Sequence, residues 1–176
     1  MLTLDDYVQA IISVIVITDP IGRPIFFAMM TQEMSKEDRR RAAFKVITAV
    51  AVILFGSALV GKVLLDAIGI HLGAFGFVGG LIVAAMGLEM MGMGEPSRVQ
   101  GGHASREEPK PEDQLLVPFA MPFIAGPGAI TIVITLAART ETMDATYMAL
   151  AAVGVAVLAM SISFTFLTDY LARIPE

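Results

Sequence analysis

Residues 114–138 read QLLVPFAMPFIAGPGAITIVITLAA, 25 consecutive positions without a charged side chain. A run of this length suffices to cross the hydrocarbon core of a bilayer, which takes roughly 20 helical residues. It has company: residues 145–168 are free of charge for 24 positions, 72–88 for 17 and 46–61 for 16. Of the 176 residues 56% are hydrophobic and 16% charged, with a mean hydropathy of +0.73. Both shares lie far from those of a soluble domain. The pattern predicts an all-α polytopic membrane helix bundle of about five spans, near residues 7–31, 42–65, 72–93, 115–138 and 144–168. Little length remains for a separate soluble catalytic domain.

The chain contains no cysteine, so it has no disulfide framework, thiolate metal site or cysteine nucleophile. Its formal charge of −5 sits mainly in loops and ends, and no basic patch is interleaved with aromatics, so nucleic acid is not an expected partner. The N-terminus, MLTLDD, lacks a basic region and a small-residue cleavage site. The first apolar segment is therefore expected to remain as a span and not to leave as a signal peptide. Residues 94–114 (GEPSRVQGGHASREEPKPEDQ) combine glycine, proline and charges of both signs, which predicts a solvated linker between a first part, 1–93, and a second, 115–176.

Two spans carry breaks. In the first, Thr18-Asp19-Pro20-Ile21-Gly22-Arg23-Pro24 places two prolines where an unbroken helix would need their missing N–H groups. Asp19 followed by Pro20 reads as an N-cap and first-turn pair opening a half-helix, whose N-terminus offers N–H groups and positive potential. Arg23 is spaced to pair with Asp19. Ionisable residues inside a span are costly and usually functional; the plainer reading is that Asp19 caps a kink and Arg23 neutralises it. In the fourth span Pro118 and Pro122 precede Ala125-Gly126-Pro127-Gly128-Ala129. Pro127 is expected to begin a second half-helix, with Gly126 and Gly128 admitting a ligand or another backbone. Thr131 and Thr135 either line that site or bond back to their own helix.

Aligning Pro20 with Pro127 sets an offset of 107 residues, which lays residues 42–55 over 149–162 without a gap. A unit of three spans places its second copy upside down, giving an inverted repeat. The mate of the third span would fall near 179–200, past residue 176, so the expected arrangement is three plus two of a three-plus-three repeat.

The segments DPIGRPIF (19–26) and PFAMPFIAGPGAIT (118–131) resemble the two signature segments of the MarC family of bacterial inner-membrane proteins, and GFVGGLIVAAMGLEM (76–90) is similar to that family's third span. The resemblance runs over nearly the whole chain. It implies six spans in the bacterial inner membrane and a role in moving or sensing small molecules, since some members are described as small neutral amino acid transporters. Two departures stand out: Arg23 occupies a place where the family pattern usually has asparagine or another small residue, and the sixth span is missing.

In the third span Gly76, Gly80 and Ala84 form a small-residue stripe suited to close helix packing, within the chain or between copies. Glu89, near its cytoplasmic end, is either a carboxylate solvated by headgroups or a possible ion relay. Met86, Met90 and Met93 share a helical face; without a cysteine they read as gap-filling packing and not a soft-metal site. His71 and His103 read as solvated. In the fifth span Ser161, Thr165 and Thr168 lie on one face, lining a wet cavity or satisfying their own backbone. No HExxH, Walker A or GxSxG pattern is present, so enzymatic activity is not expected, and neither a metal nor another cofactor is called for.

The leading expectation is a secondary transporter holding its substrate between the two breaks, with Asp19, Pro20, Gly22, Arg23, Gly126, Pro127, Gly128 and Thr131 as the binding residues. The alternative is a non-transporting membrane subunit that packs against a larger complex, or a homo-oligomer, through span three. Orientation follows from the basic residues. Lys36, Arg39, Arg40, Arg41, Arg98, Arg106, Lys110 and Arg173 fall on one side, against Lys62 and Arg139 on the other. The N-terminus is thus expected in the periplasm, and the linker and residue 176 in the cytoplasm. A cysteine introduced as Ser105→Cys should resist an impermeant thiol reagent added to intact cells and react after permeabilisation; labelling from outside would reverse the orientation.

Overall fold

A computed structural model describes residues 2–31, 34–90, 125–139 and 143–171, and the regular secondary structure among them is entirely helical. Helix α1 spans Leu4–Thr18, α2 Gly22–Met30, α3 Lys36–Ile68, α4 Leu72–Met90, α5 Pro127–Ala137 and α6 Met143–Leu171. The linker 94–114 and residues 115–124 of the expected fourth span lie outside the described residues.

Local sequence sets the helix ends. Thr3 and Asp6 form a capping box: the Thr3 side chain accepts the Asp6 N–H, and the Asp6 carboxylate accepts the Thr3 N–H at 2.9 Å. Ser35 caps α3 by accepting the Asp38 N–H at 3.2 Å. That helix closes at Gly69, whose left-handed φ of 78° lets the Gly69 and Ile70 N–H groups turn back onto the carbonyls of Asp66 and Leu65. With 33 residues α3 is about 50 Å long, against about 30 Å of hydrocarbon. It overruns the expected span 42–65 at both ends because an apolar run marks what lies in lipid, whereas caps mark where the helix stops.

Among the described residues three stretches are long and apolar enough to cross a bilayer: Leu4–Met29, taking α1 and α2 together, Lys36–Ile68 and Met143–Phe166. Shorter apolar helices accompany them at Leu72–Ala85 and Pro127–Ala137. The outer surface is apolar too, with Val16 72%, Phe77 75% and Phe166 72% exposed. Side chains of this kind on so many outward positions suit lipid and not water. The molecule is an all-helical membrane bundle.

Inside, the helices meet along small side chains. Ala10, Ala58, Ala129, Ala149, Ala152 and Ala156 are each at most 3% exposed, and small residues let helices approach closely where lipid removes the hydrophobic drive to associate. Phe27 of α2 stacks on Phe164 of α6 with ring centroids 5.1 Å apart. Helix α5, though only 11 residues long, packs against α1, α3, α4 and α6. It approaches α4 tightly at Gly79, where any added side chain would run into Thr131. The expected stripe of Gly76, Gly80 and Ala84 is not the face that meets α5: Gly80 and Ala84 are exposed, and an added Cβ at Gly76 or Gly80 would meet open space. The contact runs through Gly79 and Val83 because α5 approaches α4 on that neighbouring face.

The helix boundaries also show a spacing. Met30 and Ala137, the last residues of α2 and α5, lie 107 positions apart, and so do Lys36 and Met143, the first residues of α3 and α6. This is the same offset that separates Pro20 from Pro127.

Gly79→Ala should destabilise the detergent-solubilised protein by about 1–3 kcal/mol, the usual range for overpacking a tight contact. Gly76→Ala and Gly80→Ala should be neutral or slightly stabilising, since alanine is the better helix former where space is open. Thermal unfolding of the three variants measures the difference, and equal effects at all three positions would contradict the assigned α4 face.

Candidate functional site

The first break is built from its own residues. Pro24 forbids a helix continuing from α1, because its ring would clash with the carbonyl of Pro20, four residues back, and it supplies no N–H. Placed in the first turn of α2, Pro24 is tolerated, since N–H groups there have no helical acceptor in any case. Helix α2 accordingly begins at Gly22 and not at Pro20 as the Asp19–Pro20 pair suggested. Asp19 precedes a proline, which disfavours the right-handed helical region, and it takes a left-handed φ of 42° at the C-cap of α1. Aspartate is among the few non-glycine residues that adopt this conformation readily.

The polar groups freed by the break find partners. The Asp19 N–H donates to Ile15 O at 2.9 Å, and Asp19 Oδ1 accepts the Gly22 N–H at 2.9 Å. Arg23 Nη2 donates to Ile17 O at 2.6 Å, so its guanidinium sits on the carbonyl end of α1, where the helix dipole is negative. Arg23 also interacts electrostatically with Asp19. The two residues thus divide the break between them, with the carboxylate on the amide end of α2 and the guanidinium on the carbonyl end of α1. Pro20 and Pro24 are buried, while Asp19 is exposed.

A second arginine does the same at the far end of α2. Arg39 Nε and Nη2 both donate to Thr31 O, at 3.1 and 3.0 Å, and the residue is 8% exposed. From sequence Arg39 is only one of several basic loop residues. The signal available was its position one turn inside α3 after the Ser35 cap, with a short turn leading back to α2.

The second break is different. Gly126 is the N-cap of α5, with φ −65° and ψ 174°, and Pro127 occupies the first turn. No side chain caps this end among the described residues. Gly126, Gly128 and Ala129 are buried, and Pro127 is exposed. Gly128 lies under Val83 of α4, and a Cβ there would also stand 3.6 Å from Cδ1 of Ile17. Ile17 belongs to the last turn of α1, so the fold brings the two breaks together, with the carbonyl end of α1 beside the amide end of α5. The remaining polar side chains nearby turn inward on their own helices. Thr131 donates to Pro127 O and Thr18 to Val14 O, both at 2.7 Å, and Ser161 and Thr165 bond to carbonyls four residues back. Thr135 is exposed, as is His71. The side chains of Glu89, Met86, Met90 and Thr168, and residues Met93, His103, Pro118 and Pro122 altogether, lie outside the described set.

Comparison with known proteins agrees with this architecture. A UPF0056 membrane protein of Pyrococcus abyssi is 32% identical over 158 residues, covering 90% of this chain and 76% of that protein. One from Methanocaldococcus jannaschii is 28% identical over 170 residues, 97% of this chain and 74% of its own length. Another, from Buchnera aphidicola, is 30% identical over 128 residues, 73% of this chain and 60% of the relative. The chain thus matches between three fifths and about three quarters of these relatives. No solved structure matches. Residues 4–174 match the description "MarC family integral membrane protein", so that helices, breaks and relatives converge: the chain belongs to the MarC family of integral membrane proteins.

Proposed function

We propose that this protein is a secondary transporter of small solutes such as neutral amino acids, with its substrate site where the two breaks meet. The observation that carries the reading is the difference between the breaks. The first is satisfied by Asp19 and Arg23, whereas the amide end of α5 is buried beside it without a side-chain cap among the described residues. Buried N–H groups need an acceptor, and a helix N-terminus favours an anion. A substrate carboxylate fits that place, and the exposed carboxylate of Asp19 is the group suited to face an ammonium. Ile17 and Val83 bracket Gly128 with apolar surface, which disfavours a charged substrate side chain without a partner of its own. Arg23 acts here as a positioning residue for α1.

The shared spacing of helix ends supports reading the chain as an inverted repeat of 1–93 and 115–176 around the linker. Broken helices in corresponding positions of two such halves are a recurrent design for substrate sites near the membrane midplane. In this reading the protein lies in the inner membrane with its N-terminus in the periplasm.

Gly126→Asp tests the site. The backbone at Gly126 is extended, so an aspartate there carries no backbone strain, and an N-cap carboxylate accepts from the amides one turn in. It would thereby occupy the position assigned to the substrate carboxylate. Wild type should gain thermal stability from neutral amino acids and take them up in proteoliposomes; Gly126→Asp should insert and fold but lose at least tenfold in apparent affinity, with Gly126→Ala retaining most of it. Undiminished binding by Gly126→Asp would place the site elsewhere. Arg23→Gln should lower thermal stability by about 1.5–3 kcal/mol, the range for losing a hydrogen bond to a charged group, while the folded fraction keeps its substrate affinity within about threefold. A larger loss of affinity at unchanged stability would make Arg23 a ligand-binding residue.

A further inference from the structure

Helices α1 and α5 run antiparallel. Their broken ends meet at Ile17 and Gly128, and their opposite ends meet at Asp6 and Arg139. Asp6 Oδ2 is held by the Thr3 N–H and hydroxyl at 2.9 and 2.8 Å, which leaves Oδ1 to accept from Arg139 Nη1 at 3.4 Å across 133 positions of sequence. Each charge stands where its helix favours it, the carboxylate in the first turn of α1 and the guanidinium just past the last turn of α5. Between the ion pair and the breaks, α1 contributes Ala10 and Val14, and α5 contributes Val133 and Ala137, all at most 4% exposed and part of one apolar cluster. Among the described residues these small side chains close the direct path along the α1–α5 seam from the ion pair to the breaks. The ion pair itself is accessible, with Arg139 45% and Asp6 29% exposed. Such pairs shift an equilibrium by about two- to fivefold. That contributes little to holding a fold together and suffices to bias a closure that must also open.

We infer that Asp6–Arg139 is a gate latch: it favours the closed state of the α1–α5 seam on the side of the bundle that carries the N-terminus, and its separation admits solvent to the meeting point of the breaks. This inference rests on the transport reading for its purpose, and its test needs no substrate. The chain has no native cysteine, so Thr18→Cys, at a position with 0% exposure in the last turn of α1, gives a single buried thiol as reporter. In nanodiscs, the rate of its modification by a small thiosulfonate reports how often the seam opens. Asp6→Asn and Arg139→Gln should each raise that rate about two- to fivefold, and the double variant should exceed neither single variant. Raised salt should accelerate the parent and leave the variants unchanged, since screening weakens only an intact pair. Size-exclusion profiles identical to the parent's establish that the variants are folded. Unchanged labelling in both single variants, or effects that multiply in the double, would overturn the latch while leaving the substrate site standing. A latch that behaves as stated in a protein that binds no amino acid would instead remove the transport reading alone.

Discussion

Hydrocarbon offers no hydrogen bonds, and this constraint organises the structure. Pro20 and Pro24 interrupt a helix at membrane depth, so carbonyls at the end of α1 and amides at the start of α2 must find partners inside the protein. Asp19 and Arg23 are those partners, one facing each way from a turn of a few residues. Arg39 extends the solution to the far end of α2, closing on the buried Thr31 carbonyl with two donors. The costly ionisable groups of the first span therefore make a broken helix possible in lipid, and only after that accounting does a functional role for any of them need separate support.

The same constraint separates the two breaks. They share prolines, glycines and their place in the chain, and differ in side-chain chemistry: the first has a carboxylate and a guanidinium, while the second has Gly126, Pro127 and Gly128. Among the described residues the second break carries no side-chain cap, so its backbone amides remain the polar groups there. Under the transport reading proposed above, that division would let two segments of similar shape serve one site.

Much of this was legible in the sequence, because the strongest signals were local. Charge-free runs located the first, second and fifth spans, which the described residues show as membrane-length stretches, while the third and the described part of the fourth are shorter apolar helices; the prolines located the breaks to within two or three residues. The start of α2 at Gly22 was missed by reading Asp19–Pro20 as a cap pair, when the ring of Pro24 sets the limit by what it does four residues upstream. Arg23 was legible as a charge needing a partner, but its acceptor, the Ile17 carbonyl six residues back, follows no helical periodicity because a turn lies between. On α4 the spacing of Gly76, Gly80 and Ala84 was conspicuous, yet α5 sits against Gly79 and Val83. Apart from Glu89 near its end that helix is apolar on every face, so the pattern carried no information on which one meets the chain and which meets lipid.

The placement of α5 also bears on how the protein is made. Helices α3 and α4 are joined by only three residues, Gly69, Ile70 and His71, and both pack against α5. Yet α5 begins 37 residues after α4 ends. When the first four helices have left the ribosome, the surfaces of Gly61 and Gly79 that will receive Ile134 and Thr131 still lack their occupant. Among the described residues the first four helices scarcely pack on one another; each is gathered into the bundle by α5 or α6. Biogenesis is thus ordered by topology: tertiary closure waits on translation of the second half, and until then lipid must cover the faces that α5 and α6 will take.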